Sequence, residues 1–183
     1  MGIGNRNTKR VIVKKIIIGL AILLSHQIYL LNLPVQAENI MNEINYKKSK
    51  LTTTYALRLR PGQDIRLELE NFAKLNNLKA AYIITTVGSL KKAVLRYANQ
   101  PQTTIINEKL EIVSLVGIIS INGSHLHISL SDKAGKTIGA HLQKGSEIYT
   151  TAEIIIGELE DLEFKREEDK ETTYKELSIY DRK

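Results

Sequence analysis

Three of the chain's four histidines, His125, His127 and His141, sit close together. His125 and His127 are two apart, so on a β-strand both imidazoles leave the same face. Residues 131–136, Ser-Asp-Lys-Ala-Gly-Lys, have turn chemistry and let the chain double back, which carries His141 toward the other two. Three neutral imidazoles converging on one point can hold a divalent metal and leave a fourth position for water or a ligand. An all-nitrogen set favours zinc, with nickel or copper also compatible, and there is no cysteine to join it. Asp132 or Glu147 would be the carboxylate at hand to complete or support such a shell. Spacing alone allows a second reading, in which each imidazole is a polar group on a sheet face, satisfied by its own neighbours or by water.

A zinc with an open position can ionise water near neutral pH. Catalysis would also need a positioned base and a substrate pocket. Ser124, Asp132 and Glu147 are near in sequence, but no motif gives any of them a role, and no catalytic residue is nominated. The sequence holds no Gly-x-Ser-x-Gly, no triad spacing, no Walker pattern and no dinucleotide fingerprint.

The elements that must position the histidines follow from hydrophobic pattern. Residues 52–60 read as a strand, broken at Pro61-Gly62. Asp64 is an N-cap candidate for a helix whose apolar face carries Ile65, Leu69, Phe72 and Ala73, ended by Asn76-Asn77. Residues 80–87 read as a buried strand, and Gly88 as the start of a second one. Further strands are expected at residues 103–107, 110–121, 124–130, 147–158, 164–165 and 174–179. Gly117 marks a bend or a close approach. The charge-dense residues 158–171 read as a solvated loop between edge strands. One principal helix among many strands, without βαβ alternation, predicts an α+β domain with a mainly antiparallel sheet.

The N-terminus has a separate character. Lys9, Arg10, Lys14 and Lys15 form a basic region, residues 16–24 an apolar one, and Val35-Gln-Ala37 a small-residue cleavage site. This is the pattern of a secretory signal peptide over residues 1–37, cut after Ala37, and it predicts a periplasmic or extracellular protein. The alternative is an uncleaved anchor, against which Ser25, His26 and Gln27 interrupt the apolar run. Residues 38–51 read as a linker or flexible arm, leaving 52–183 as the domain. The formal charge of the whole chain is +6, but residues 1–37 hold five basic and no acidic residues. The remainder has 21 basic against 20 acidic residues, so net basicity does not argue for nucleic acid.

Several pieces in order carry a family likeness. Gly123-Ser-His-Leu-His127 is followed by Ser131-Asp132, Gly135 and Gly139-Ala-His-Leu142. Arg58-Leu-Arg-Pro-Gly-Gln-Asp64, Leu110-Glu-Ile-Val-Ser-Leu-Val-Gly117, Glu153-Ile-Ile-Ile-Gly157, Phe164-Lys-Arg166 and Lys175-Glu-Leu177 complete the series. Together they resemble the plant and prokaryote conserved (PPC) domain over residues 54–178, with Ala140 where that family usually has a second glycine. The resemblance implies a PPC-like fold, a metal site on His125, His127 and His141, and a homotrimer formed through sheet surfaces. Apolar residues on both sides of the strands at Ile118-Ile119 and Ile154-Ile-Ile156 fit either a face covered by a helix or such a subunit interface. Plant members join this domain to an AT-hook, but the Arg-Gly-Arg-Pro core that enters the minor groove is absent here. Glu108-Lys-Leu-Glu-Ile-Val113 also lacks the Gly and Phe of their Gly-Arg-Phe-Glu-Ile-Leu partner-binding element. The expectation is therefore an exported binding or assembly module with a metal or small-ligand site. A metal-dependent hydrolase and, by family analogy alone, a DNA-binding protein are the alternatives.

Overall fold

Alternating apolar and polar residues produce nine strands and one helix in the described part of the chain. The computed structural model describes Lys47, Ser49 and residues 52–183. The expected signal peptide and cleavage site lie outside the described residues. So does most of the expected linker, although Lys47 Nζ pairs with Asp181 at 2.7 Å and Ser49 Oγ donates to Asp161.

Strand β1 (Thr52–Leu59) leads into helix α1 (Ile65–Leu75), followed by β2 (Ala81–Arg96), β3 (Thr104–Ile106), β4 (Leu110–Ser120) and β5 (Gly123–Ser131). Strands β6 (Thr137–Leu142), β7 (Glu147–Leu159), β8 (Leu162–Glu168) and β9 (Lys175–Asp181) complete the domain. All strand pairings are antiparallel, in the order β1-β7-β2-β4-β5-β6, with β3 on β2. The end of β2 also pairs β6, so β2, β4, β5 and β6 form a closed ring of strands. The expected mainly antiparallel sheet with one helix is observed. With a helix of only 11 residues, the domain is sheet-dominated and sits at the β-rich edge of the α+β class.

Asp64 begins α1 as its sequence position suggested. Its Oδ1 accepts the backbone N–H groups of Arg66 and Leu67, and its Oδ2 accepts that of Gly145, tying the helix start to the β6–β7 turn. Ile65, Leu69 and Ala73 are fully buried against the sheet. The core beneath them is aliphatic, with Leu90, Leu95, Leu110, Leu126, Leu130, Leu142, Ile148 and Ile154 all sequestered. Each such side chain contributes about 1.5–3 kcal/mol by leaving water.

Two expectations are corrected. Residues 81–96 form one continuous strand, where the sequence suggested two parted at Gly88. Gly88 has φ +145°, and a Cβ there would lie 2.1 Å from the Thr151 carbonyl oxygen, so the missing side chain lets β2 run on against β7. The register slips between Gly88 and Leu90 and again before Lys92. Such bulges bend a strand, and the far end of β2 reaches β6. The charge-dense residues 158–171 are also largely strand rather than loop. Leu162 and Phe164 alternate with charged neighbours and are buried with Ala80 against Ile118, Leu177 and Ile179. The β8–β9 hairpin thus covers part of the second face of β4, and Ile118 is partly buried within the chain by this hairpin, a cover the sequence did not suggest. Ile154 and Ile156 are buried in the main core.

Candidate metal centre

Side-chain alternation along β5 decides where the histidines point. Leu126, Ile128 and Leu130 enter the core, so His125 and His127 leave by the opposite face. The β5–β6 hairpin pairs His127 with His141, and register partners share a face. Its turn is held by Asp132, whose Oδ1 accepts the N–H groups of Ala134 and Lys136 at 2.8 and 2.9 Å. On the other side of β5, His125 pairs Ile118 and His127 pairs Val116. Between them, Gly117 faces Leu126 with φ +136°, and a Cβ there would sit 2.0 Å from the His125 carbonyl oxygen. Glycine at this point lets β4 approach β5 and fixes the backbone that carries His125.

The three imidazoles meet. One ring nitrogen from each lies within 4.8 Å of the others, and Nε2 of His125 is 3.1 Å from Nε2 of His127. The His125 and His141 rings stack at 5.3 Å with a 13° interplanar angle, while His127 stands nearly perpendicular to His141 at 4.3 Å. Metal–nitrogen bonds of about 2.05 Å in a tetrahedron separate ligand nitrogens by about 3.3 Å, so the 3.1 Å pair already has the spacing of two ligands to one ion. Burial, then the Arg166 guanidinium and the His127 ring, hold His125 below the usual imidazole value. His141 is pushed down to about 4 by burial, then by Arg96 and the two other imidazoles. Both rings are therefore neutral at pH 7, the state in which imidazole can donate a lone pair to a metal. The donor set fits a divalent ion of the zinc type.

The carboxylates singled out beside the histidines are occupied elsewhere. Asp132 serves the turn, and Glu147 is paired with Lys91 and Lys92 at 2.9 and 3.5 Å. Ser124 Oγ donates to Glu70 at 2.8 Å, beside the helix. The carboxylate whose charge acts on His125 is Glu176 of β9. Sequence reasoning also missed the arginines. Arg96 is the register partner of His141, and Arg166 comes from the β8–β9 hairpin. That hairpin is stapled down where Ser120 Oγ and Asn122 Nδ2 donate to the Phe164 carbonyl. No local signal marks these residues, because long-range strand pairing brings them to the site.

A cavity of about 920 Å³ opens beside the imidazoles, bordered by His125, His141, Arg66, Arg96 and Arg166. It is large enough for a small organic ligand.

The model of the Plants and Prokaryotes Conserved (PCC) domain matches residues 46–160. Two proteins named bifunctional protein GlmU, from Synechococcus sp. strains JA-3-3Ab and JA-2-3B'a(2-13), are 45% and 44% identical over 125 residues. The match takes in 68% of this chain but 20% of theirs, so the chain spans about a fifth of the length of these curated relatives. A solved protein from Salmonella enterica is 40% identical with a TM-score of 0.74, over 76% of this chain and 100% of that one. A metal-containing protein from Archaeoglobus fulgidus is 25% identical with a TM-score of 0.66, over 74% and 99%. A Pyrococcus horikoshii plant- and prokaryote-conserved protein is 26% identical with a TM-score of 0.62, over 74% and 99%.

Proposed function

The chain belongs to the Plants and Prokaryotes Conserved domain family, and from that premise we propose that it is an exported, homotrimeric binding or assembly module that holds a divalent metal, zinc in the first instance, on His125, His127 and His141. The observation that carries this reading is the convergence of the three ring nitrogens within 4.8 Å on one outer face of the β4–β5–β6 sheet. The neutral state of His125 and His141 favours ligation over protonation. The metal-containing Archaeoglobus relative, matched along nearly its whole length, adds support.

The homotrimer has its own physical support. Ile84 and Val87 on β2, Ile105 on β3, and Val113 and Val116 on β4 are about half exposed. Val116 lies directly across from His127, so part of this apolar surface borders the metal centre. Apolar residues left exposed on sheet strands are material for a subunit interface. Export rests on the basic and apolar segments before Ala37.

The cavity beside the imidazoles gives a second reading its footing, a metal-dependent hydrolase that activates water at the open metal position.

Elemental analysis of purified wild-type protein and of His127→Ala tests the main reading, with light scattering to give the mass in solution. One zinc-type ion per chain in the wild type, its loss in the variant and a mass of three chains in both are expected. Equal metal in both proteins, or none in either, removes the metal centre; a monomeric mass removes the trimer. Metal-dependent turnover of an ester or amide substrate that vanishes in His127→Ala would move the protein to the hydrolase reading.

A further inference from the structure

The wall of the histidine cavity is strongly cationic. Arg66, Arg96, Arg166 and Lys175 line it, against a single carboxylate, Glu176. The three guanidinium groups differ in what they have left to offer. Arg66 is the most heavily engaged: its Nε pairs with Glu70 at 3.0 Å, and its Nη1 donates to the Leu142 carbonyl and the Gln143 side chain. It therefore supplies fixed positive charge. Arg96 has no ion-pair partner among the described residues, and its guanidinium makes one long contact, 3.5 Å to the Gln100 carbonyl. Arg166 donates to the Lys175 carbonyl and stands 3.8 Å from Glu176, a loose pairing. Arg96, the register partner of His141, and Arg166, which lines the same cavity as His125, thus keep donors to spare.

This is an unfavourable setting for a bare cation. A divalent ion on the histidines would be repelled by the guanidinium charges of Arg66, Arg96 and Arg166, which line the same cavity as His125 and His141. An anion placed between them removes the repulsion from both sides. The planar guanidinium fork also matches the paired oxygens of a carboxylate or phosphate in a way an ammonium cannot.

We infer that the cavity binds a small organic oxyanion, a carboxylate or phosphate compound gripped by Arg96 and Arg166, with one oxygen facing the metal held by His125, His127 and His141. The metal half of this statement rests on the proposed function; the arginine half stands on the cavity alone. It names the ligand class for the binding module, which the histidines by themselves do not.

The test is calorimetric titration of the full-length protein, metal-free and zinc-loaded, with inorganic phosphate and with malonate, using sodium chloride at matched ionic strength as control. Wild-type protein is expected to bind at least one of the two anions beyond the chloride control, and more tightly when zinc-loaded. The preferred probe assigns the ligand to the phosphate or the carboxylate type. Arg96→Gln and Arg166→Gln should each weaken that binding at least tenfold. Zinc should bind Arg96→Gln at least as tightly as wild type, because a repelling charge is gone. Zinc binding with no anion binding, or with anion affinity unchanged in both variants, overturns the inference and leaves the metal centre standing. Anion binding lost in the variants without any zinc binding removes the metal centre and retains the arginine subsite. Should a glutamine variant lose its native circular dichroism, Arg96→Lys replaces it; several-fold weaker anion binding is then expected, and wild-type affinity would refute the bidentate grip.

Discussion

Replacing Gly117 by alanine should damage the domain and the histidine centre together. The new Cβ would begin 2.0 Å from the His125 carbonyl oxygen and 3.0 Å from Leu126 Cα, where ordinary contact starts at 3.4 Å. The two strands must therefore part by roughly 1.4 Å, the difference between those contacts. A ladder bond of about 2.9 Å does not survive such a displacement. Losing one or two of these bonds costs about 0.5–1.5 kcal/mol each, and alanine at positive φ adds about 1–3 kcal/mol. The sum is about 1.5–6 kcal/mol, a large share of the ~5–15 kcal/mol that holds a domain together. Gly135 is the internal control. It also has positive φ, +79°, but nothing lies within 4 Å of a Cβ there. Gly135→Ala should cost only the backbone penalty of about 1–2 kcal/mol. Urea denaturation of both variants separates steric from conformational cost, and zinc titration adds the functional readout. Gly117→Ala should lose about 0.5–4 kcal/mol more than Gly135→Ala and bind zinc at least tenfold more weakly, since the displaced carbonyl belongs to a residue of the proposed metal centre. Equal destabilisation by the two alanines, with wild-type zinc affinity in Gly117→Ala, would refute the claim that close strand approach positions His125.

Two further outcomes are expected. Thr86 is 5% exposed and its Oγ1 has no hydrogen-bond partner among the described residues, so Thr86→Val should stabilise the protein by about 0.5–2 kcal/mol; a fall in thermal midpoint would reveal an unseen partner for the hydroxyl. Burial raises the Glu70 carboxyl, but bonds from Lys144, Ser124 and Arg66 outweigh it and hold the group below its ordinary 4.5. Its contribution to stability is complete above that value and fades as pH falls from 4.5 through the depressed folded value, so Glu70→Gln should flatten this part of the stability–pH curve. Parallel acid profiles for wild type and variant would disprove the assignment.

Much of the local structure was legible because covalent spacing dictates it. Hydrophobic pattern and strand-favouring composition identified β1, β4, β5 and β7, and the apolar face and Asp64 cap identified α1. His125 and His127 had to share a face once β5 was a strand, and the turn residues held by Asp132 made the approach of His141 foreseeable. The signals that failed were ones with two local meanings. Gly88 reads as the start of a new strand when its neighbours in sequence are considered alone, yet it is a point of close approach to Thr151 within one strand. The charged residues after Glu158 read as a solvated loop, yet Leu162 and Phe164 between them bury one side of a hairpin.

Taken by itself, the sequence determined the element types, the helix start, the shared face of two histidines and the family likeness, since each depends on residues a few positions apart. Tertiary structure alone decided that β2 continues through Gly88 to meet β6, that Arg96 and Arg166 line the cavity beside the imidazoles, and that Asp132 and Glu147 do not. Those outcomes depend on which distant strands pair and where a missing side chain lets backbones touch. Such contacts are fixed by packing the whole domain, and no window along the chain contains both partners.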